Sequence, residues 1–165
     1  MNIVPLGREH DRKRFDCGDE AVNKFLKEAA LQDQEKRLSR SRVLADEASD
    51  QKRIIGFHSL LMTTVDQAAI PDDRPRIKRR IPVILVGQIG VDLEFQGRGY
   101  GDLLLTDIEI RTLEVAETVG VRSLMLDARS ERLASWYEQR DFERFPGSLR
   151  MFKSLRSIRG LVEEG

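Results

Sequence analysis

Cysteine and histidine are nearly missing from this chain: Cys17, His10 and His58 are the whole complement in 165 residues. One cysteine excludes an internal disulfide and fits a reducing compartment. With so few ligands and no His-x-x-x-His pair, a metal site has no support. No apolar run approaches the roughly 18 residues of a membrane span. The first residues, MNIVPLGREHDRKR, hold too short an apolar stretch for a signal peptide. These absences predict a cytoplasmic protein with no membrane segment and no metal. An excess of one charge is also lacking, because 28 basic residues balance 28 acidic ones. The nucleotide-binding run G-x-x-x-x-G-K-[ST] does not occur.

What is present reads as one globular domain over 1–165. Hydrophobic residues at 40 % and charged residues at 34 % suit a folded core with a charged surface. The charge is clustered. Lys36, Arg37, Arg40 and Arg42 fall in one acid-free stretch, and Arg74, Arg76, Lys78, Arg79 and Arg80 in another. One reading is two solvated faces. The other is two patches that meet the phosphates of a polynucleotide.

Periodicity predicts the elements. Met1–Leu6 reads as a strand. Asp19 or Gly18 caps a helix whose Val22, Phe25, Leu26, Ala29 and Ala30 form one apolar stripe. Arg42–Asp46 and Ile54–Val65 are strands joined by a polar hairpin. Gln67–Arg80 is a loop, and its length hints at function. Pro82–Leu93 is a strand buried on both faces, where Gly87 and Gly90 suggest a bulge or a ligand close by. Gly101–Val119 is a helix stopped by Gly120. Val121–Ala128 is a strand and Glu131–Gln139 a short helix. Phe142–Phe145 and Leu149–Leu155 are closing strands. This order makes a mixed α/β sheet carrying helices.

The sharpest feature is Val86–Leu105, a strand, a glycine-rich turn and the start of a helix. Glycines at 97, 99 and 101 let backbone N–H groups point inward without Cβ interference. The helix adds unpaired N–H groups and the positive end of its dipole. Together they form a socket for phosphate or pyrophosphate. A dinucleotide site would need G-x-G-x-x-G, and Asp102 breaks that pattern. What remains is [Q/R]-x-x-G-x-[G/A], filled by Gln96, Gly99 and Gly101. The competing reading is a turn that binds nothing.

That pattern resembles the acetyl-CoA pyrophosphate signature of the GNAT N-acetyltransferases. Three further stretches agree with it: Gly120–Ala128, then Ala134-Ser135-Trp136-Tyr137-Glu138-Gln139-Arg140-Asp141-Phe142, then Phe15-Asp16-Cys17-Gly18 with Asn23-Lys24-Phe25-Leu26. The last of these, with Arg79–Asp92, is similar to the toxin branch of the family, whose members are encoded beside a ribbon–helix–helix antitoxin. Asp141 departs from the usual glycine, and Gln88 from the usual arginine. The resemblance implies a GNAT fold, a mixed and mostly antiparallel sheet with helices on both faces.

The resemblance also implies acetyl-CoA as cosubstrate, aminoacyl-tRNA as acceptor and a homodimer. Ile89, Gly90, Val91, Gln96, Gly97, Arg98, Gly99, Tyr100, Gly101 and Asp102 would bind the cofactor. Val91 would offer a backbone N–H to the thioester carbonyl. Tyr137 would protonate the departing thiolate; its competing reading is a core aromatic beside Trp136 and Phe142. Arg37, Arg40, Arg79 and Arg80 are the candidates for tRNA contact. An α-amine, with a pKa near 8, needs no strong base, unlike a lysine near 10.4. Other acceptors remain open: a small amine, an antibiotic or a protein N-terminus. A module that binds acetyl-CoA without catalysis is a third reading. Cys17 and His58 read as packed residues.

Overall fold

A computed structural model describes residues 2–66 and 79–164, without the side chains of 161–164. The elements are β1 (Ile3–Pro5), α1 (Glu20–Lys24), a π turn (Phe25–Ala29), α2 (Ala30–Glu35), β2 (Arg40–Asp46), β3 (Arg53–Asp66) and β4 (Arg80–Val91). A 3-10 turn (Leu93–Phe95), α3 (Tyr100–Ala116), β5 (Ser123–Asp127), α4 (Glu131–Glu138), β6 (Glu143–Arg144), β7 (Arg150–Ser154) and α5 (Leu155–Glu164) follow. The strands run in the order β1-β2-β3-β4-β5-β7-β6. The β4–β5 pair is parallel, and β1–β2, β2–β3, β5–β7 and β6–β7 are antiparallel. The expected mixed, mostly antiparallel sheet is therefore present. The loop expected over 67–80 falls outside the described residues as far as position 78, together with Arg74, Arg76 and Lys78.

The chain separates into two compact units, Met1–Leu61 with Gly87–Ile108 and Met62–Val86 with Glu109–Gly165. In the first, the apolar stripe of α1 and the π turn packs around Phe57. Phe15 meets that ring edge-on at 5.3 Å, and Phe25 stacks on it at 6.5 Å. Leu26 and Ala30 are fully buried. Burying one such leucine or phenylalanine contributes about 1.5–3 kcal/mol. Asp19 provides the cap, its carboxylate accepting from the Ala21 and Val22 N–H groups. A single straight helix was the expectation; the π turn inserts one extra residue per turn midway.

The second unit is centred on β5, whose Leu124, Met125 and Leu126 are all buried. Met125 joins Val65, Ile81, Val83, Phe145 and Phe152 in one apolar cluster. Phe145 and Phe152 meet edge-on at 5.5 Å.

Two expectations are corrected, and two glycines gain identified neighbours. Gly120 is not a left-handed helix stop. α3 ends at Ala116, where the Val115 carbonyl takes both the Thr118 and Val119 N–H groups, and Gly120 is not at positive φ. The last strand stops at Ser154 and the chain continues as α5. The Ser154 hydroxyl accepts the Ser157 N–H, and Ile158 is buried. Gly90 and Gly87 make room for the protein itself. A Cβ at Gly90 would stand 3.2 Å from Cys17 and Val22, and one at Gly87 would stand 2.9 Å from Leu61.

Candidate functional site

In the first unit the glycine-rich turn is held from three directions. Asp92, buried, caps the 3-10 turn by accepting the Glu94 N–H at 3.0 Å. It also accepts the Asp16 N–H at 3.2 Å and an Arg53 guanidinium hydrogen at 3.3 Å. The partners of its carboxylate are all donors, which suits a structural role. Arg53 reaches on to Glu94 at 2.8 Å and lies 4.8 Å from the Phe95 ring centre. That contact holds the Glu94 carboxyl below its ordinary value. From below, Gly56 lets β4 approach. A Cβ there would be 3.0 Å from Leu104 and 3.1 Å from the Gly90 carbonyl. The Asp92 N–H donates to Ile55, the extra residue of a bulge in β3.

Gln96 has its amide turned inward. Its Nε2 donates to the Val91 carbonyl at 2.9 Å and to the Cys17 carbonyl at 3.1 Å. The side chain expected to meet a ligand therefore ties the turn to β4 and to the Phe15–Gly18 segment. That segment is itself knitted. Asp16 accepts the Gly18 N–H and the Asn23 amide, at 2.9 and 2.8 Å, and these bonds lower its pKa. Asn23 in turn accepts the Cys17 N–H at 2.9 Å. Burial pushes the Cys17 thiol up, so it remains a protonated, packed group.

The turn itself presents backbone. Gly97 has φ +76° and Gly99 φ +83°, and a Cβ at either would meet nothing within 4 Å. Gly99 opens α3 by accepting the Leu103 N–H. The first N–H groups of a helix have no acceptor within it, so the turn at Gly97–Gly101 leads into backbone donors at the start of α3. The Tyr100 ring packs inward on Leu44, Ile55 and Leu104 and meets Phe95 at 6.3 Å. Arg98 is exposed, its guanidinium 5.5 Å from the Phe95 ring centre. Ile89 and Val91 join the same apolar cluster. An open cradle of donors beside a cation fits the diphosphate of acetyl-CoA.

Tyr137 lies in the second unit, on α4. Ser130 caps that helix through the Leu133 N–H. Tyr137 is buried, with Trp136 at 5.0 Å and Phe142 at 5.4 Å, both edge-on. Burial pushes its phenol up to about 12, so it holds its proton at neutral pH. Asp141, where a glycine was expected, adopts φ +66° and turns Phe142 back onto Tyr137. Lys153, also buried, pairs with Glu109 at 2.6 Å and lies 5.6 Å from the Phe142 ring centre. Sequence reading missed Lys153, Arg53 and Gly56, because their partners are distant in the chain.

The candidate basic residues fall in both units. Arg37, at φ +60°, and Arg40 are exposed in the first. Arg42, of the same basic run, turns inward to Asp107 at 2.9 Å and to the Ile3 carbonyl at 2.6 Å. Asp107 also bonds buried His58 at 2.7 Å. Burial raises the Asp107 carboxyl, and the His58 and Arg42 bonds outweigh it, leaving the group below its ordinary value. Arg79 and Arg80 are exposed in the second unit, Arg80 bonded to Thr64 through its Nε and its terminal nitrogen. Among the described residues no cluster of His, Cys, Asp or Glu is placed to hold a metal ion, and no helix is long and apolar enough to cross a membrane.

The glycine-rich turn at the start of α3 suits an acyl-CoA-dependent transferase. Residues 9–142 match the acetyltransferase (GNAT) family, and the chain belongs to it. It is 30% identical to a Sinorhizobium fredii protein named probable toxin TacT, over 97% of this chain and 94% of that protein. It is 29% identical to a Mycobacterium tuberculosis protein named tRNA-acetylating toxin, over 92% and 90%. Among solved structures, AtaT complexed with acetyl-methionyl-tRNAfMet shares the fold, with a TM-score of 0.88 and 24% identity over 98% of both chains.

Proposed function

We propose that this chain is a single-domain, cytoplasmic toxin that acetylates the α-amino group of aminoacyl-tRNA. One observation carries the acyl-transfer chemistry: the Gln96–Gly101 turn at the start of α3, with Gly97 and Gly99 left-handed and nothing standing over them. The acceptor reading is supported by the relative named tRNA-acetylating toxin, which this chain matches over 92% of its own length.

Acetyl-CoA, when bound, supplies the activated acetyl thioester. The N–H groups of Gly99, Tyr100, Gly101 and Asp102 hold its diphosphate, helped by Arg98 and the flexibility at Gly97. Ile89 and Gly90 line the strand beside it. Val91 offers its backbone N–H where negative charge develops on the carbonyl oxygen. Gln96 contributes by holding the Val91 carbonyl, which orients that stretch of backbone. The neutral amine attacks, the C–N bond forms and the C–S bond breaks. Tyr137 gives its proton to the leaving sulfur, and water takes the proton lost by nitrogen. The α-amine suits this arrangement, since about a tenth of it is neutral at pH 7.

Arg37, Arg40, Arg79 and Arg80 supply the contacts to tRNA phosphates. A homodimer and a ribbon–helix–helix antitoxin complete the proposal, as the resemblance to the toxin branch implies. Charge reversal at the four arginines weakens tRNA binding and flattens its salt dependence; an unchanged salt slope removes them from the interface. The decisive test is transfer of labelled acetyl to a pool of charged tRNAs, with uncharged tRNA and free amines as controls. Label on charged tRNA alone is expected. Label on free amines or peptides alone overturns the acceptor and leaves the acyl-transfer chemistry standing.

A further inference from the structure

Lys153, on β7, is the only buried lysine among the described residues, and the acyl-transfer steps above do not use it. A buried ammonium is costly unless it is paired. The adjacent Phe152 joins the apolar cluster around Met125 on one face of the sheet. Side chains alternate along a strand, so Lys153 takes the other face, opposite Leu124 of β5 in the register. There its Nζ meets two groups, both in the second unit. The Glu109 carboxylate of α3 lies at 2.6 Å, its side chain only 12% exposed. The centre of the Phe142 ring lies at 5.6 Å, within reach of a cation–π attraction.

Phe142 leads from this pair to Tyr137. Its N–H donates to the Tyr137 carbonyl at 3.2 Å, and its ring stands 5.4 Å from the Tyr137 ring at 63°. Trp136 holds the same phenol ring at 5.0 Å, but from the adjacent position on α4. Phe142 lies beyond the left-handed turn at Asp141, outside the helix, so its ring takes its support from other elements. A buried ion pair contributes little net stability over apolar residues of the same volume. What it adds is direction: the carboxylate fixes the ammonium, and the ammonium attracts one ring. We infer that Lys153, clamped by Glu109, is a positioning residue that holds Phe142 against Tyr137 and so sets where the phenol stands. This inference rests on the proton-donor reading of Tyr137 above and names what aims that donor.

Lys153→Met alone would leave a buried carboxylate unpaired, so the test removes both charges together, as Lys153→Met with Glu109→Met. Such apolar replacements of a buried pair are often neutral or stabilising, and the Tm is expected to stay at or above the native value. The kcat is expected to fall about 10- to 100-fold, the scale of a reacting group held slightly out of place. The loss should be the same for charged tRNA and for an amino-acid methyl ester, because the phenol serves the leaving sulfur. The KM for acetyl-CoA should be unchanged. Trp136 is the chain's single tryptophan and lies against Tyr137, so the near-UV circular dichroism should change as the cluster shifts. Native kcat, or an unaltered near-UV spectrum, overturns the inference. Glu109→Gln keeps an acceptor for the ammonium and tests the same clamp with less disturbance. A smaller loss of kcat is expected, and native kcat in this variant also overturns the inference.

The double exchange is then repeated in a Tyr137→Phe background. Groups that act as one unit are non-additive, so no further fall in kcat is expected there. Losses that multiply would show that the pair acts elsewhere and not through the phenol. Native turnover in Tyr137→Phe alone removes the proton donor, and this inference with it. Impaired turnover in Tyr137→Phe beside native turnover in the double exchange removes this inference alone.

Discussion

In the proposed mechanism the first unit contributes backbone and the second contributes a side chain. In the first, Gly97 and Gly99 face open space, and the surrounding side chains (Asp92, Arg53, Gln96, Asp16 and Asn23) bond to one another and to nearby backbone. In the second, Tyr137 is gripped by Trp136 and Phe142, and burial alone sets its pKa. The difference matters for mutation. A backbone donor survives almost any substitution at its own position that keeps the φ angle, but fails when the scaffold moves. A phenol is lost by one exchange while its scaffold stays intact.

Tyr137→Phe should therefore break the second unit's contribution most cleanly. Turnover is expected to fall about 100-fold or more, the usual range for a lost general acid. Acetyl-CoA binding, followed by calorimetry, should be unchanged; retained turnover would remove Tyr137 from catalysis.

The comparable blow to the first unit is Asp107→Asn, which leaves Arg42 and buried His58 without their carboxylate. A loss of about 3 kcal/mol in unfolding free energy is expected. The pH dependence follows from the depressed Asp107 pKa. Its contribution is complete above the ordinary carboxylate value, about 3.9, and is lost as pH falls through the lower folded value. Denaturant titrations of the native protein and the variant should converge in acid below pH 4. A constant difference at every pH would show that Asp107 stays charged throughout.

Gly99→Ala tests the backbone claim directly. No neighbour would touch the new methyl group, so the change acts through the φ of +83°. It should cost about 1–2 kcal/mol and raise the KM for acetyl-CoA. Destabilisation without a KM effect would separate the turn from the cofactor. The smallest effect is Asp141→Gly, which relieves a left-handed aspartate at φ +66°. A gain of up to about 1 kcal/mol, read as a higher Tm with kcat unchanged, is expected.

Much of this was legible in the sequence. The apolar stripe of α1, the Asp19 cap and the strand–turn–helix at Val86–Leu105 announce themselves through spacing, because their causes are local; the α4 motif showed itself as a family resemblance. Gly90 was legible as a position that needs no side chain, yet the neighbour responsible turned out to be Cys17 and Val22. Gln96 was legible as part of a signature, but its amide proved to be tied to Val91 and Cys17. α5 was overlooked, since Ser154 reads equally well as a strand end and as a helix cap.

Short-range periodicity, caps and glycine spacing determined the elements and marked the turn, because those features depend on residues within a helical turn or a strand repeat of each other; the tyrosine was marked only by its resemblance to a family motif. Tertiary structure alone decided that Arg53 braces Asp92 and Glu94, that Arg42 turns to Asp107 and His58, that Gly56 admits the Gly90 carbonyl and that Lys153 is neutralised by Glu109. These partners are separated by tens of residues. Charge pairing and close packing act through space, and the intervening chain carries no trace of which distant group will arrive.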